Sequence, residues 1–468
     1  MPDLRRELIQ DVASLARFID SVTDLCSVRS GACVHLPSSE LFFKYIRGLA
    51  TATKKYVAKS LAQETRERAL LQLRREITVI RADWRFLHRY IKPTLDADTL
   101  RLPTALLDCL QDRFRSIQRF GSSSFILFHS ADFNYISVRL EKFREYADKL
   151  ADIIGEDKFP ERLAIIGIPY SQSSSLFMNC LIPHELGHHV FAHSALSERF
   201  ATQFEKELNE YRDIQISMRT DIVVSFTKWV EEIFCDLFAV RMFGFCFSFA
   251  YIELFDVSNC LDANDRFLSR FAAARGITNF SPEYPPDLLR LRQQTSLLKT
   301  DGWLDDVLAI DSHYARTLEA AAGLTDSQFS WHWLRKTLPD SVDCEKVLGC
   351  FFSSLPKIND AMEECTKGLP VAYREWSSSS KWIEECLENG VVPSSIRSRS
   401  RTDPWPPAPV SLLNSAYRFY AQSMPKLLRL IEGTGTDPVG ERVQWSQKIE
   451  MWTSKAIEDV LLTRKRLA

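Results

Sequence analysis

The sequence predicts a protein of the α+β class that is predominantly α-helical. Three observations favour this class. Apolar residues recur at helical spacing over most of the chain. The 468 residues include only 16 glycines but 30 phenylalanines, a composition that favours helices packed on helices. Apolar runs typical of strands are few and short, so we expect one small sheet.

The overall composition is that of a globular protein. Hydrophobic residues make up 45% of the chain and charged residues 26%, which excludes a disordered or collagen-like chain. The formal net charge is only −2, so there is no strong signal for nucleic-acid binding. The longest apolar stretch without a charge is Met242 to Ile252, which is too short to cross a bilayer. We therefore expect no membrane span.

The cysteines indicate a reducing environment. There are 11 of them, an odd number, and no two have the C-x-x-C spacing. The chain starts with a charged, amphipathic segment rather than the apolar core of a secretory signal. These features predict reduced thiols and a cytoplasmic location.

Residues 1–120 are predicted to form a helical N-terminal lobe, because Leu4, Leu8 and Val12 begin a pattern of helical spacing. Within this lobe, residues 51–90 contain ten lysines and arginines against four acidic residues. The simplest interpretation is the solvated face of long helices. The alternative is a surface for an acidic partner.

Residues 121–260 are predicted to form a mixed α/β core. Short strands are expected at Ser124–His129 and Arg162–Ile168, with a helix from about Tyr135 to Ile154 between them. The phenylalanine-rich stretch 243–249 is expected to form a fully buried helix that continues the preceding one.

The remainder of the chain is predicted to be helical on both sides of a linker. Residues 261–388 form a helical lobe in this interpretation. Residues 389–410 are rich in proline, serine and arginine, which is typical of a linker. Residues 411–468 are expected to form C-terminal helices, at about 411–432 and 440–466.

The chemistry is concentrated in one short segment. Residues 184–188 read H-E-L-G-H, the H-E-x-x-H pattern. On a helix, His184 and His188 lie about 40° apart around the axis and about 6 Å apart along it, so both imidazoles can reach one metal ion. Glu185 projects beside that face, where it can reach a water molecule. Asn179 is expected to cap this helix, and Pro183 suits its first turn.

A catalytic zinc site usually needs a third protein ligand, and three candidates are open. His193 lies near the motif, but the glycine needed for a tight return is replaced by Phe191. Glu232 lies on a downstream helix and has Asp236 four residues later, where the aspartate can accept a hydrogen bond from a ligating histidine. Glu231 is the third candidate, and the residue four positions after it is Cys235 rather than a carboxylate. Cys235, like Cys180, is expected to be a small core residue.

The H-E-L-G-H segment followed by Glu232-Ile-Phe-Cys-Asp236 resembles the gluzincin metallopeptidases, the thermolysin-like class. The resemblance implies that His184, His188 and Glu232 bind Zn²⁺. It further implies that Glu185 is the catalytic general base and that Asp236 orients a ligand.

The resemblance also has implications for the fold. It implies a zincin-type sheet whose edge strand, Arg162–Ile168, precedes the active-site helix. From the helical patterns on both sides, we expect helical lobes from the two termini to wrap around this core. It covers about residues 162–245, under a fifth of the chain. The 43 residues between His188 and Glu232 depart from the compact pattern of the family, and they include a predicted extra helix at Glu198–Gln215.

The resemblance therefore implies zinc-dependent hydrolysis of peptide bonds, and the large helical flanks indicate a specific protein or peptide substrate. The family's transition-state donor is not identifiable from sequence, and Tyr251, His313 and Tyr314 are candidates. Two other functions are open. One is a non-catalytic scaffold or binding protein stabilised by a metal. The other is a regulatory protease that cleaves a single partner protein. The sequence indicates no oligomeric state.

Overall fold

The computed structural model shows an α+β protein that is predominantly helical, as predicted. It describes residues 2–29, 37–64, 66–96, 104–120, 124–130, 135–138, 148, 150, 163–169, 172, 174–255, 281–310, 312–329, 332–394, 407–431 and 438–467.

The chain forms two compact units. The first comprises Met1–Thr104 and Ser122–Ser173, and the second comprises Ala105–Gly121 and Ser174–Ala468. The strands of the segment predicted as the core, 121–260, belong to the first unit, and its helices belong to the second. The functional domain boundaries proposed from sequence stay a prediction.

The first unit is a helical layer with a small sheet. Its helices are α1 (Pro2–Arg29), α2 (Pro37–Gln63) and α3 (Glu67–Asp96). Their apolar faces share one core, which includes Leu15, Ile77 and Trp84. This core forms because each helix repeats an apolar residue every three or four positions. The next helix, α4 (Thr104–Ser116), lies almost entirely in the second unit.

The sheet contains three described strands: β1 (Ser124–Ser130), β2 (Ile136–Val138) and β3 (Leu163–Pro169). Their order is β1-β3-β2. β1 runs parallel to β3, and β2 runs antiparallel to it. Both predicted strands are confirmed. The predicted helix Tyr135–Ile154 is wrong at its start, because the β-branched residues of Ile136-Ser-Val138 pair with β3. Most of its remainder lies outside the described residues.

The second unit contains the H-E-x-x-H helix. A 3₁₀ turn at Met178–Leu181 leads into α5 (Ile182–His193), which is followed by α6 (Leu196–Leu208), α7 (Ile216–Phe243) and α8 (Phe245–Phe255). Pro183 lies in the first turn of α5. Asn179 does not cap that helix; it lies in the 3₁₀ turn, and its amide donates a hydrogen bond to the Ser175 carbonyl at 2.6 Å.

Two other helix predictions need correction. The extra helix ends at Leu208, not at Gln215, and the residues up to Ile214 form turns. The phenylalanine-rich stretch 243–249 is buried and mostly helical, but α8 is separate from α7. Gly244 breaks the helix with φ +73°, and a Cβ there would lie 2.6 Å from the Trp303 ring. Only glycine combines this backbone conformation with this close contact.

Further helices complete the second unit. In chain order they are α9 (Asp287–Asp301), α10 (Leu304–Leu308), α11 (His313–Ala322), α12 (His332–Thr337), α13 (Cys344–Phe352), α14 (Leu355–Cys365), α15 (Ala372–Ser377), α16 (Ser380–Glu388), α17 (Pro409–Ile431) and α18 (Pro438–Leu467). The last two helices correspond to the predicted C-terminal pair. The predicted linker at 389–410 lies largely outside the described residues. Within the part of the chain that is described, no helix has the length and apolarity needed to cross a membrane.

The packing of α5 on α7 positions the candidate site. Gly187 faces Cys235 at the crossing, and a Cβ on Gly187 would lie 2.8 Å from the Cys235 Cα. Because that contact is with backbone, a rotamer change cannot relieve it. The glycine of the motif therefore lets the two helices approach more closely than any other residue would allow.

We expect Gly187→Ala to lower the free energy of unfolding by about 1–3 kcal/mol through overpacking, although alanine favours helix more than glycine does. The matched control is Gly349→Ala in α13, where a Cβ would meet nothing within 4 Å. There, better helix propensity should stabilise the protein by up to about 1 kcal/mol. Denaturant unfolding of both variants measures the difference, and equal effects would contradict the role of the crossing.

Candidate metal centre

Two imidazoles from α5 form the centre of the site. The rings of His184 and His188 lie 5.0 Å apart and nearly perpendicular to each other. The His184 ring is also parallel to the Phe247 ring of α8, at 6.2 Å between centroids. Both histidines are largely buried but partly accessible to solvent. The helical spacing of four residues thus brings them to one face, as the sequence predicted.

Carboxylates of α7 face the two nitrogens of each ring. Nδ1 of His184 lies 2.9 Å from Asp236 Oδ1, and Nδ1 of His188 lies 2.9 Å from Glu231 Oε1. Nε2 of His184 lies 3.5 Å from Glu232 Oε2, and Nε2 of His188 lies 3.8 Å from Glu232 Oε1. Each imidazole therefore has one nitrogen beside an orienting carboxylate and the other beside Glu232.

Arg290 of α9 is a site residue that sequence reasoning missed. Its guanidinium donates two hydrogen bonds to Asp236, at 2.7 and 2.8 Å, and its Nη1 lies 3.1 Å from Glu232 Oε2. It also lies 5.0 Å from the centre of the Tyr251 ring. The sequence contains no local signal for it, because its neighbours at helical spacing, Asp287 and Gln294, are polar.

The charges of the site change the pKa values of both histidines. Burial lowers the pKa of His184, but the Asp236 and Glu232 carboxylates outweigh it and raise this pKa to about 10. Burial likewise lowers the pKa of His188, and Glu231 and Glu232 raise it overall. In the metal-free protein His184 is therefore a positively charged imidazolium, and a metal cation could take the place of its proton.

Two carboxylates of α7, Glu232 and Asp236, remain ionised. Burial raises the pKa of Glu232, but Arg290 and the two imidazoles outweigh it and hold the pKa well below the usual range. Asp236 is fully buried and its pKa is also lowered, because Arg290 and His184 outweigh its burial.

Glu185 lies beside the pair of histidines. It is 7% exposed, and none of the described residues forms a hydrogen bond or ion pair with its carboxylate. Its negative charge contributes to the raised pKa of His188. A carboxylate beside the two imidazoles that no described residue engages is placed to accept a proton.

Cys235 is a further candidate ligand. Its Sγ and one nitrogen of each of His184 and His188 all lie within 4.8 Å of one another. The sequence indicated only a small core residue here, and Cys235 is indeed buried. Burial, and then the charges of Glu231 and Glu232, raise the pKa of its thiol well above the usual value. The thiol is therefore protonated in the metal-free protein and would have to lose its proton to bind a metal.

The donor set fits Zn²⁺. Ligands about 2.0–2.1 Å from a tetrahedral zinc lie about 3.3 Å from each other. Glu232 lies 3.5 Å from the Nε2 of His184 through its Oε2 and 3.8 Å from the Nε2 of His188 through its Oε1, so the two contacts use different oxygens. Four carboxylates surround two imidazoles and one guanidinium, and this excess of negative charge favours a divalent cation. His184, His188 and Glu232 would hold the ion, with Cys235 as the alternative third ligand.

The other predicted candidates lie elsewhere or are engaged. His193 packs against His189, with 4.3 Å between ring centroids, and His189 also contacts Phe120. Glu231 contacts His188 through its Nδ1, a position that orients the ring.

The candidate transition-state donors have other partners. The Tyr251 hydroxyl donates a hydrogen bond to Asp287 at 2.7 Å. The Tyr314 hydroxyl donates to Glu253 at 3.3 Å, and the His313 ring stacks on that of Tyr314. The identity of the donor stays a prediction.

Comparisons with known proteins find no relative: no family model, curated protein or solved structure matches the chain. The resemblance to gluzincins therefore rests on the motif residues alone and stays a prediction.

We expect the wild-type protein to bind one zinc ion per chain. Glu232→Ala should weaken binding at least tenfold, roughly the loss seen when a carboxylate that contacts a metal site is removed. Cys235→Ala, the control, should bind zinc as the wild type does. Elemental analysis and competition with a chelator measure both. Loss of zinc from Cys235→Ala but not from Glu232→Ala would assign the third ligand to the thiol.

Zinc binding should release at least about one proton per ion at about pH 7.5, because His184 is protonated in the metal-free protein and must be neutral to ligate. Calorimetry in buffers of different ionisation enthalpy measures this release. In the metal-free protein, the contacts of protonated His184 with Asp236 and Glu232 stabilise the fold fully below pH 6.5. This contribution is lost as the pH rises towards about 10. Binding without proton release would contradict this protonation state.

Proposed function

We propose that the protein is a zinc-dependent metallopeptidase of the gluzincin type that hydrolyses peptide bonds in a specific protein or peptide. The observation that carries the proposal is the pairing of the imidazole nitrogens. The Nε2 atoms of His184 and His188 face one carboxylate, Glu232, and each Nδ1 lies 2.9 Å from a different carboxylate. A structural ion pair needs only one carboxylate contact for each imidazole. Here each ring lies beside two carboxylates, and this arrangement orients both Nε2 atoms towards Glu232.

The residues of the chain have distinct roles in this proposal. Asp236 and Glu231 fix the ring orientation and tautomer of His184 and His188. Arg290 holds Asp236 in place through two hydrogen bonds. When bound, Zn²⁺ would polarise the substrate carbonyl and make a water molecule more acidic.

Glu185 supplies the proton transfer. Its carboxylate, which no described residue engages, accepts the proton of the attacking water and then delivers it to the leaving amine. Because the side chain is nearly buried, the proton is exchanged with the substrate rather than with bulk solvent. In keeping with the cysteine pattern, we place this activity in the cytoplasm.

One observation favours a second candidate, a metal-stabilised scaffold without catalysis. Arg290 already lies 3.1 Å from Glu232 Oε2, so the carboxylate has a cationic partner without any metal. A protein of this kind would bind zinc for stability and would hydrolyse no peptide.

We expect Glu185→Gln to keep its zinc but to lose at least about 10²-fold in hydrolysis, since the amide cannot accept the proton. The matched control is Glu198→Gln on the exposed face of α6, which should hydrolyse peptides at the wild-type rate. The substrate is a random library of quenched fluorescent peptides, and mass spectrometry identifies the products. Undiminished hydrolysis by Glu185→Gln would exclude the assigned base. A zinc-loaded wild type that cleaves nothing would favour the scaffold.

A further inference from the structure

The first half of α7 carries exposed apolar residues on the face that leads to the metal centre. Ile216 is 80% exposed, the highest value among the large apolar side chains in the described residues, and Val224 is 48% exposed. Thr220 and Lys228 are exposed between and beyond them. We call these four residues the α7 strip.

The strip and the site share one face of the helix. At about 100° per residue, the four residues lie within a sector of about 120°, and Glu231 and Cys235 fall in the same sector. Glu232 lies about 40° beyond the Lys228 edge of this sector. In the second half of α7 this face is covered by α5, which crosses at Gly187 opposite Cys235. The exposed strip therefore ends where the metal centre begins.

The strip is firmly positioned. Arg219 donates hydrogen bonds to the carbonyls of Tyr211 and Ile214, at 3.2 and 3.1 Å, and to the side chain of Asn209. These contacts tie the start of α7 to the preceding turn. On the opposite side of the helix, Phe226 and Trp229 are buried in an aromatic cluster. The exposure of Ile216 and Val224 is thus a feature of an ordered helix.

We propose that the α7 strip is an exosite that binds an extended segment of the peptide substrate at a distance from the scissile bond. This inference rests on the proposed function, because it takes the metal centre as the point of cleavage. Val224 and Ile216 lie about 12 and 24 Å along the helix from Glu232. An extended chain advances about 3.3 Å per residue, so the substrate would place apolar side chains about four and seven residues from the scissile bond.

Charge adds a second element of specificity. Lys228 is exposed, forms no ion pair with any described residue, and lies about 6 Å along the helix from Glu232. It favours an acidic substrate residue about two positions from the scissile bond. The partner is therefore an extended peptide with one acidic and two apolar residues on the same side of the cleavage point.

The test compares two random libraries of quenched fluorescent peptides. Peptides of about sixteen residues can reach both the metal centre and the strip, whereas peptides of about six residues cannot. The double variant Ile216→Ser/Val224→Ser should lower kcat/KM about tenfold on the long peptides, and the loss should be absent with the short ones. The matched control is Met451→Ser/Leu462→Ser, which removes two exposed apolar residues from α18.

Fluorescence anisotropy of the long library with each zinc-loaded protein provides a second readout. If the wild type cleaves the peptides and the strip variant loses kcat/KM on the long peptides only, the exosite and the peptidase are both supported. If the strip variant cleaves the long peptides as well as the wild type does, or loses kcat/KM equally on long and short peptides, the exosite is overturned and the peptidase is retained. Binding that depends on the strip without any cleavage overturns the peptidase and retains the strip as a peptide-binding surface. Neither cleavage nor strip-dependent binding overturns both.

Discussion

The close crossing of α5 and α7 is the constraint on which the candidate site depends. Gly187 lies against the backbone of Cys235, where even a methyl group would come within 2.8 Å of the Cys235 Cα. His184 and His188 lie on either side of this contact on α5, and Glu231, Glu232 and Asp236 lie around it on α7. A wider crossing would move the imidazoles away from the carboxylates and lengthen every one of the 2.9–3.8 Å separations at once.

The second feature of the site is its concentration of buried charge. Placing several carboxylates in a low-dielectric interior is costly unless positive charge accompanies them. In the metal-free protein, Arg290 and the protonated imidazole of His184 supply that charge, and the surrounding carboxylates raise the pKa values of both His184 and His188. A divalent cation would take the place of the His184 proton and leave Arg290 in contact with Asp236. Protons and metal would thus compete for the same imidazole, so we expect metal binding to depend on pH.

The helix that supplies the carboxylates also extends beyond the site. Its second half is buried almost entirely, whereas its first half exposes Ile216 and Val224 to solvent. Single exposed apolar residues are common on protein surfaces, but these two share one face that ends at the metal centre. The long segment between the histidines and Glu232, which departs from the compact gluzincin pattern, is the segment that forms this exposed start of α7. The departure in sequence and the proposed recognition surface thus have the same origin.

Local features of the fold and the site could be inferred from the amino-acid sequence. Helical spacing indicated the helices, the apolar runs indicated β1 and β3, and the H-E-x-x-H pattern indicated that His184, Glu185 and His188 share one helix turn. These features depend on residues a few positions apart, so they can be inferred from periodicity. The i to i+4 relation of Glu232 and Asp236 was accessible for the same reason.

Contacts between groups that are distant in sequence became clear only from the folded structure. It paired Glu231 with His188, brought Arg290 from α9 to Asp236, and placed the Cys235 thiol near both imidazoles. It also ended α7 at Gly244, where the Trp303 ring occupies the space of a side chain. No local pattern encodes these contacts, because each depends on how two helices separated in sequence cross and on the charge that the interior must balance.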